Sequence, residues 1–102
     1  MSKREARRHA QLLVRWHHEW WNGSGYPDAL TQEQIPLAAR ILSVADCFDA
    51  MISPRAYKPA RTRDDAMEEL IRCKGTQFDP GCVDVFIAYL KENSEAGILL
   101  PA

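Results

Sequence analysis

Two kinds of segment alternate along this chain, and their spacing limits what it can fold into. From Arg4 to about Trp20, apolar positions recur at three- and four-residue steps through Ala6, Ala10, Leu13, Val14 and His17. That period lays a stripe along one face of a helix. The segment closes at Asn22-Gly23, a helix-stopping and turn-forming pair. Residues 22–34 hold Gly23, Gly25 and Pro27 with no periodicity, which predicts a loop. Pro36 suits the first turn of a second helix, because its missing N–H would be unpaired there anyway. That helix is expected to run to about Met51, with Ile41, Val44, Ala45, Phe48 and Ile52 as a broad apolar face, until Ser53-Pro54 stops it. Thr62 is a predicted N-cap, with Asp64 and Asp65 in a first turn where the helix dipole favours negative charge. The third helix is expected to bury Ala66, Met67, Leu70 and Ile71 and to close at Lys74-Gly75. Asp79-Pro80 opens a fourth, with Val83, Phe86, Ile87 and Leu90 at helical spacing. The expectation is an all-α fold of four helices and one long structured loop, followed by an unassigned tail containing Ile98-Leu99-Leu100.

With 102 residues, 46% of them hydrophobic, the chain fits one small domain spanning residues 1–102. A domain of this size buries only roughly 65% of the surface its unfolded chain exposes. Its stability is marginal unless a partner, a metal or a second copy adds buried area. The net charge of −1 gives no global field toward nucleic acid, membrane or acidic ligands, so neither a nucleic-acid polymer nor a membrane is expected as a partner. Lys3-Arg4 and Arg7-Arg8 share their segment with Glu5 and read as a solvated helix face. Cys47, Cys73 and Cys82 are odd in number, widely spaced and without a CxxC pair, as in reduced thiols packed as small hydrophobes. No apolar run approaches the roughly 20 residues of a membrane span, and no apolar stretch follows the basic opening residues as in a secretory signal. The expected compartment is the cytoplasm.

The informative stretch is His17-His18-Glu19-Trp20-Trp21-Asn22-Gly23-Ser24-Gly25-Tyr26-Pro27. Adjacent histidines on a helix project about 100° apart, so they cannot easily chelate one ion. They can serve different metals of a cluster, or one can ligate while the other orients. A plain surface or core pair is the alternative.

This string resembles the HHExxDGxGYP signature of HD-GYP proteins at every fixed position except the aspartate, which is Asn22 here. Residues 34–51, QIPLAARILSVADCFDAM, are similar to that family's IPxxARIxxVADxxDAM helix. Arg55-Ala56-Tyr57-Lys58-Pro59 resembles its RxYKP connection, and Gly75-Thr76-Gln77-Phe78-Asp79-Pro80 its GTQFDP turn. The four ordered blocks identify the chain as similar to the carboxy-terminal part of an HD-GYP domain. The resemblance implies a helical domain that binds transition metals (iron, manganese or zinc) and hydrolyses cyclic di-GMP, a bacterial second messenger. It implies metal ligation by His17, His18 and Asp46, and dinucleotide binding by Tyr26, Arg55 and Lys58. Glu19, Asn22, Gly23, Gly25, Pro27 and Asp49 would form the supporting layer and the loop.

These implied roles suit the residue types. Imidazole and carboxylate suit iron, manganese or zinc, and a bridged metal pair turns water toward hydroxide near neutral pH. Arg55 could grip phosphate with its planar fork, Lys58 adds a point charge, and Tyr26 offers a ring and a hydroxyl. Plain alternatives stand beside each. Asp46 lies among Val44, Ala45, Cys47 and Phe48, where a buried carboxylate needs a strong partner such as Arg40 or a backbone amide. Arg55 and Lys58 could be solvated loop residues, and Trp16, Trp20 and Trp21 core or interface residues. Glu19 is expected to orient a histidine or the glycine loop, and Asn22 can replace an aspartate in a turn.

The resembled domain carries further ligands upstream: a His, an adjacent His-Asp pair and another His. This chain has three histidines and no His-Asp dipeptide, and His9 lies too close to His17 to stand for one of them. The expectation is a lone chain that binds metal weakly or not at all and does not sustain hydrolysis. In the resembled fold, helices missing from this chain cover one face of the helices kept here; without them an apolar patch would be exposed, which marks an interface, so self-association or a partner protein is expected. Two readings follow. One is a phosphodiesterase fragment completed by ligands from elsewhere. The other is a non-catalytic module that presents Gly25-Tyr26-Pro27 to a signalling partner such as a diguanylate-cyclase domain. A third, weaker reading is a gene remnant without activity.

Overall fold

A computed structural model describes residues 1–54 and 58–95. Helix α1 covers Lys3–Trp16, α2 Leu37–Ile52, α3 Arg63–Arg72 and α4 Pro80–Glu95, with a 3-10 turn at Gln32–Gln34. Among the described residues there is no strand, and isolated bridges pair Asn22 with Thr31 and Lys74 with Phe78. The all-α expectation holds. Arg55 and the apolar tail residues Ile98-Leu99-Leu100 lie outside the described residues.

Local chemistry sets three of the helix starts. At α1, Ser2 Oγ accepts from Glu5 N at 3.0 Å while the Glu5 carboxylate accepts from Ser2 N at 3.1 Å, a reciprocal cap. At α3, Thr62 Oγ1 accepts from Asp65 N at 3.0 Å, as its residue type predicts. At α4, Asp79 Oδ1 accepts from Gly81 N at 2.8 Å and its carbonyl from Val83 N at 3.1 Å, with Pro80 in the first helical position.

The core lies between α2, α3 and α4. Val44 and Phe48 meet Ala66, Leu70, Val83, Ile87 and Leu90, and Phe78 closes the cluster from the turn before α4. Ile71, expected inside, is 48% exposed. Helix α1 departs further, because none of its residues is buried and Val14 is 68% exposed. Its main neighbour is the start of α2, across a groove of about 280 Å³ lined by His9, Leu12, Leu13, Trp16, Pro36 and Ala38. Leu37 and Ile41 of α2 are also about half exposed. Periodicity located the stripe on α1, but it did not reveal that the described elements leave Ala6, Ala10 and Val14 of it exposed. No helix among the described residues is long and apolar enough to cross a membrane.

Helix α1 ends at Trp16, four residues short of the expected end. The reason is tertiary: Trp21 N donates to Gln77 O at 3.0 Å and Asn22 N to Thr76 O at 2.9 Å, which draws the chain across to the α3–α4 turn.

Arg40 joins these pieces. Its Nη1 donates to Asp79 Oδ2 at 2.6 Å and its Nε to Ile35 O at 2.8 Å, and the guanidinium lies 5.9 Å from the centre of the Trp21 ring. Both partners of the ion pair are largely buried, with side chains 15% and 12% exposed. Burial pushes the Asp79 carboxyl up, but the bonds from Arg40, Gly81 and Cys82 outweigh it and hold it below the usual carboxylate range. Arg40→Met is expected to cost about 2–3 kcal/mol, because Asp79 keeps its charge and loses its partner. Thermal melts should show a fall of about 10–20 °C. The depressed carboxyl stabilises the fold above its unfolded value near pH 4, and that stability is lost as pH falls through the lower folded value. The acid limb of the melting curve is therefore expected to be shallower in Arg40→Met; an unchanged limb would contradict the assignment.

Candidate functional site

His17 caps the end of α1, its N–H donating to Leu13 O at 3.0 Å. Its ring Nδ1 lies 2.9 Å from Val14 O, and since a carbonyl can only accept, Nδ1 carries the proton. In the neutral ring Nε2 then keeps its lone pair, directed toward Asp46 Oδ2 at 3.8 Å. That spacing is too long for a direct hydrogen bond. His18 follows with its ring 3.9 Å from that of His17. The two rings belong to a turn beyond the helix end, so the helical separation expected for them does not apply.

The loop after them is built around Glu19. This carboxylate is 2% exposed and accepts from Asp28 N and Leu30 N, both at 2.6 Å. Of its two anticipated roles, Glu19 therefore fills that of organising the glycine loop. Gly25 lies against the chain it returns to: a Cβ there would come within 2.6 Å of Glu19 Cα and His18 O. Gly23 has φ +89°, a left-handed conformation that favours glycine. Asn22 Oδ1 accepts from Ser24 N at 2.9 Å, the turn bond an aspartate would also make. The loop then returns Tyr26 onto His18, rings stacked at 5.1 Å and 17°, ahead of a cis bond to the exposed Pro27.

One loop residue had no signal in the sequence. Asp28 accepts from Arg15 Nε and Nη2 at 2.9 and 2.8 Å and from Trp16 Nε1 at 2.7 Å. The Arg15 and Trp16 bonds hold its carboxyl below the usual range. It fastens the loop to the last turn of α1, across a separation that no local pattern spans.

Helix α2 supplies the other wall. Asp46 is exposed on its surface rather than buried among its apolar neighbours, and Arg40, its anticipated partner, is engaged by Asp79. The helical period explains this: Val44 and Phe48 face the core, and Asp46 falls between them on the opposite side. A cleft of about 210 Å³ gathers His17, His18, Trp20, Ser43, Asp46 and Gln77. Cys47, Ala50 and Gln77 also line an adjoining cavity of about 420 Å³ that contains Lys58. Asp49 is exposed and lines neither. Trp21 lies half-buried beside Arg40, and Trp16 is half-buried at the end of α1.

The donor chemistry suits a transition metal, since an imidazole nitrogen faces a carboxylate oxygen across one cleft. The number of donors does not complete a centre. Among the described residues, no group of three or more His, Cys, Asp or Glu side chains is arranged to hold an ion.

Glu19→Ala should leave the Asp28 and Leu30 amides without acceptors, at a cost of about 2–4 kcal/mol. Hydrogen exchange is expected to lose protection first at those two amides, while Leu70 and Val83 in the core remain slow. Unchanged protection at Asp28 and Leu30 would refute the role given to Glu19.

A family model described as an HD domain matches residues 2–82. A cyclic di-GMP phosphodiesterase response regulator of Xanthomonas campestris is 53% identical over 76 residues, which are 74% of this chain and 20% of that protein. A 3′3′-cGAMP-specific phosphodiesterase of Vibrio cholerae is 40% identical over 91 residues, 89% of this chain and 17% of that one. A solved cyclic GMP-AMP-specific phosphodiesterase from V. cholerae superposes with a TM-score of 0.67 at 29% identity, covering 78% of this chain and 18% of that chain. The chain therefore spans about a fifth of the length of these relatives. The matched span takes in the histidine turn, the Glu19-centred loop and Asp46, and the chain belongs to the HD domain family, related to phosphodiesterases of cyclic di-GMP and cGAMP.

Proposed function

We propose that these residues form the carboxy-terminal part of an HD-GYP-type, metal-dependent phosphohydrolase of cyclic dinucleotides, and that the isolated chain does not complete its catalytic centre. The observation that carries this reading is the meeting of His17 Nε2 with Asp46 Oδ2 in the cleft beside the His18–Tyr26 stack. His17, His18 and Asp46 would hold iron, manganese or zinc together with donors from outside the chain. A bound metal supplies an acidified water and positive charge against phosphoryl oxygens.

The chain's own residues orient and bind. The Val14 carbonyl fixes the His17 ring, and Tyr26, stacked on His18, is 62% exposed and so open to a base or sugar. Lys58 adds a point charge in the adjoining cavity, and Arg55 is assigned to the dinucleotide by its motif alone. Glu19, Asn22, Gly23, Gly25 and Pro27 set the loop's path. The exposed Asp49 is the weakest member of the set. A cytoplasmic location belongs to the same reading.

A second reading is favoured by the outward display of Tyr26, Pro27 and Asp28 on a tightly bonded loop. There the chain is a non-catalytic module docking on a diguanylate-cyclase domain. Binding of such a domain that is lost in Tyr26→Ala, with no metal or dinucleotide bound, would decide for it. Self-association is assigned to the apolar α1–α2 groove together with Leu37 and Ile41. Light scattering is expected to give a mass above that of one chain, and a compact monomer would count against it.

The test of the main reading is metal analysis joined to an assay. The isolated chain is expected to bind fewer than two manganese ions and to release no product from cyclic di-GMP. His17→Ala and Asp46→Ala should each weaken the residual metal binding by at least about tenfold. Two tightly held ions and enzymatic turnover in a lone monomer would overturn the proposal of an incomplete centre.

A further inference from the structure

The adjoining cavity holds a cation outside the RxYKP-like segment. Arg61 lines it together with Lys58, Met51, Glu69 and Cys73. Its backbone N–H donates to Met51 O at 2.8 Å, which pins it beside the last turn of α2. Its side chain makes one weak contact, Nη1 to Met51 Sδ at 3.6 Å, and no ion pair among the described residues. Glu69, the carboxylate lining the cavity, is already held by Arg72 through two bonds of 2.7 and 2.5 Å. The Arg72 bond is the main reason that carboxyl lies below its usual range. The cavity therefore carries two cations, Lys58 and Arg61, against one carboxylate that has a partner elsewhere.

Position adds a second constraint. Ala50 lies one turn beyond Asp46 on α2, a rise of about 6 Å. It lines both the histidine cleft and the cationic cavity, and so do Cys47 and Gln77. The three shared residues make the two compartments neighbours. A lone phosphate fills one compartment, whereas a ligand with two phosphates can place one in each. Guanidinium presents a planar fork that matches phosphate oxygens in pairs.

We propose that Arg61 is a phosphate-binding residue of this chain, gripping the phosphate of a cyclic dinucleotide that lies away from the histidine cleft. The proposal rests on the phosphodiesterase reading above for the class of ligand. Lys58 and Arg61 then share the distal phosphate, and Gln77 stands at the junction, its side-chain amide without a hydrogen bond among the described residues.

The test is titration of the intact chain with cyclic di-GMP by calorimetry at several salt concentrations. Arg61→Gln is expected to weaken binding about tenfold, the loss of a charge-assisted bond, and to flatten the salt dependence. Arg61→Lys should recover part of the affinity, since it keeps the charge without the fork. Lys74→Gln, a control whose charge faces Asp84 outside the cavity, should bind as the parent does. Circular dichroism melts confirm that each variant folds. Unchanged affinity in Arg61→Gln, with weakened binding in Lys58→Gln, would overturn the role of Arg61 and leave the phosphodiesterase reading standing. Absence of binding by the parent chain would overturn the assignment of Arg61, while the reading of an incomplete phosphohydrolase would still be decided by its own metal test.

Discussion

A carboxylate that is 2% exposed must find donors, and the path of the loop follows from where Glu19 finds them. The Asp28 and Leu30 amides converge on its two oxygens, so residues 20–27 have to leave the helix end and come back. That return presses Gly25 against the backbone of residues 18–20 and sets Tyr26 on the ring of His18. The positions of both histidines are thus linked to a charge that touches neither of them. Asp28 draws the same loop onto Arg15 and Trp16, so the last turn of α1 and the loop hold each other in place.

Helix α2 divides its work by face. Val44 and Phe48 point to the core that α3 and α4 complete, while Asp46 and Ala50 open onto the two clefts. Each pair is one turn apart, so the packing that stabilises the fold also sets the height of the site residues along the helix. Arg40 adds a cross-link from this helix to the cap of α4 and to the end of the loop. One wall of the cleft is therefore a helix that the core holds, although half of the residues lining the cleft are exposed. Helix α1 lies against the start of α2 and is tied to the loop through its last turn, but it contributes nothing buried. An HD domain segment that leaves such a face open has surface available for further chain or for a second copy.

Sequence alone determined the helix count, three of the four starts, and Val44 and Phe48 of α2 with Val83, Ile87 and Leu90 of α4 as core residues. It could do so because caps and apolar periodicity act within a few residues, where local chemistry decides. The motif residues His17, His18, Glu19, Gly25 and Asp46 were legible as a set through their resemblance to the HD-GYP signature, and of these Gly25 is the one that close backbone approach requires. What the tertiary structure alone decided was the early end of α1, the exposure of its stripe, the pairing of Arg40 with Asp79 rather than Asp46, and the fastening role of Asp28. The exposed stripe reflects missing cover among the described residues, and the other three depend on partners between 12 and 56 residues away. Bonds over such separations exist only after the chain has packed, so no local period could carry them.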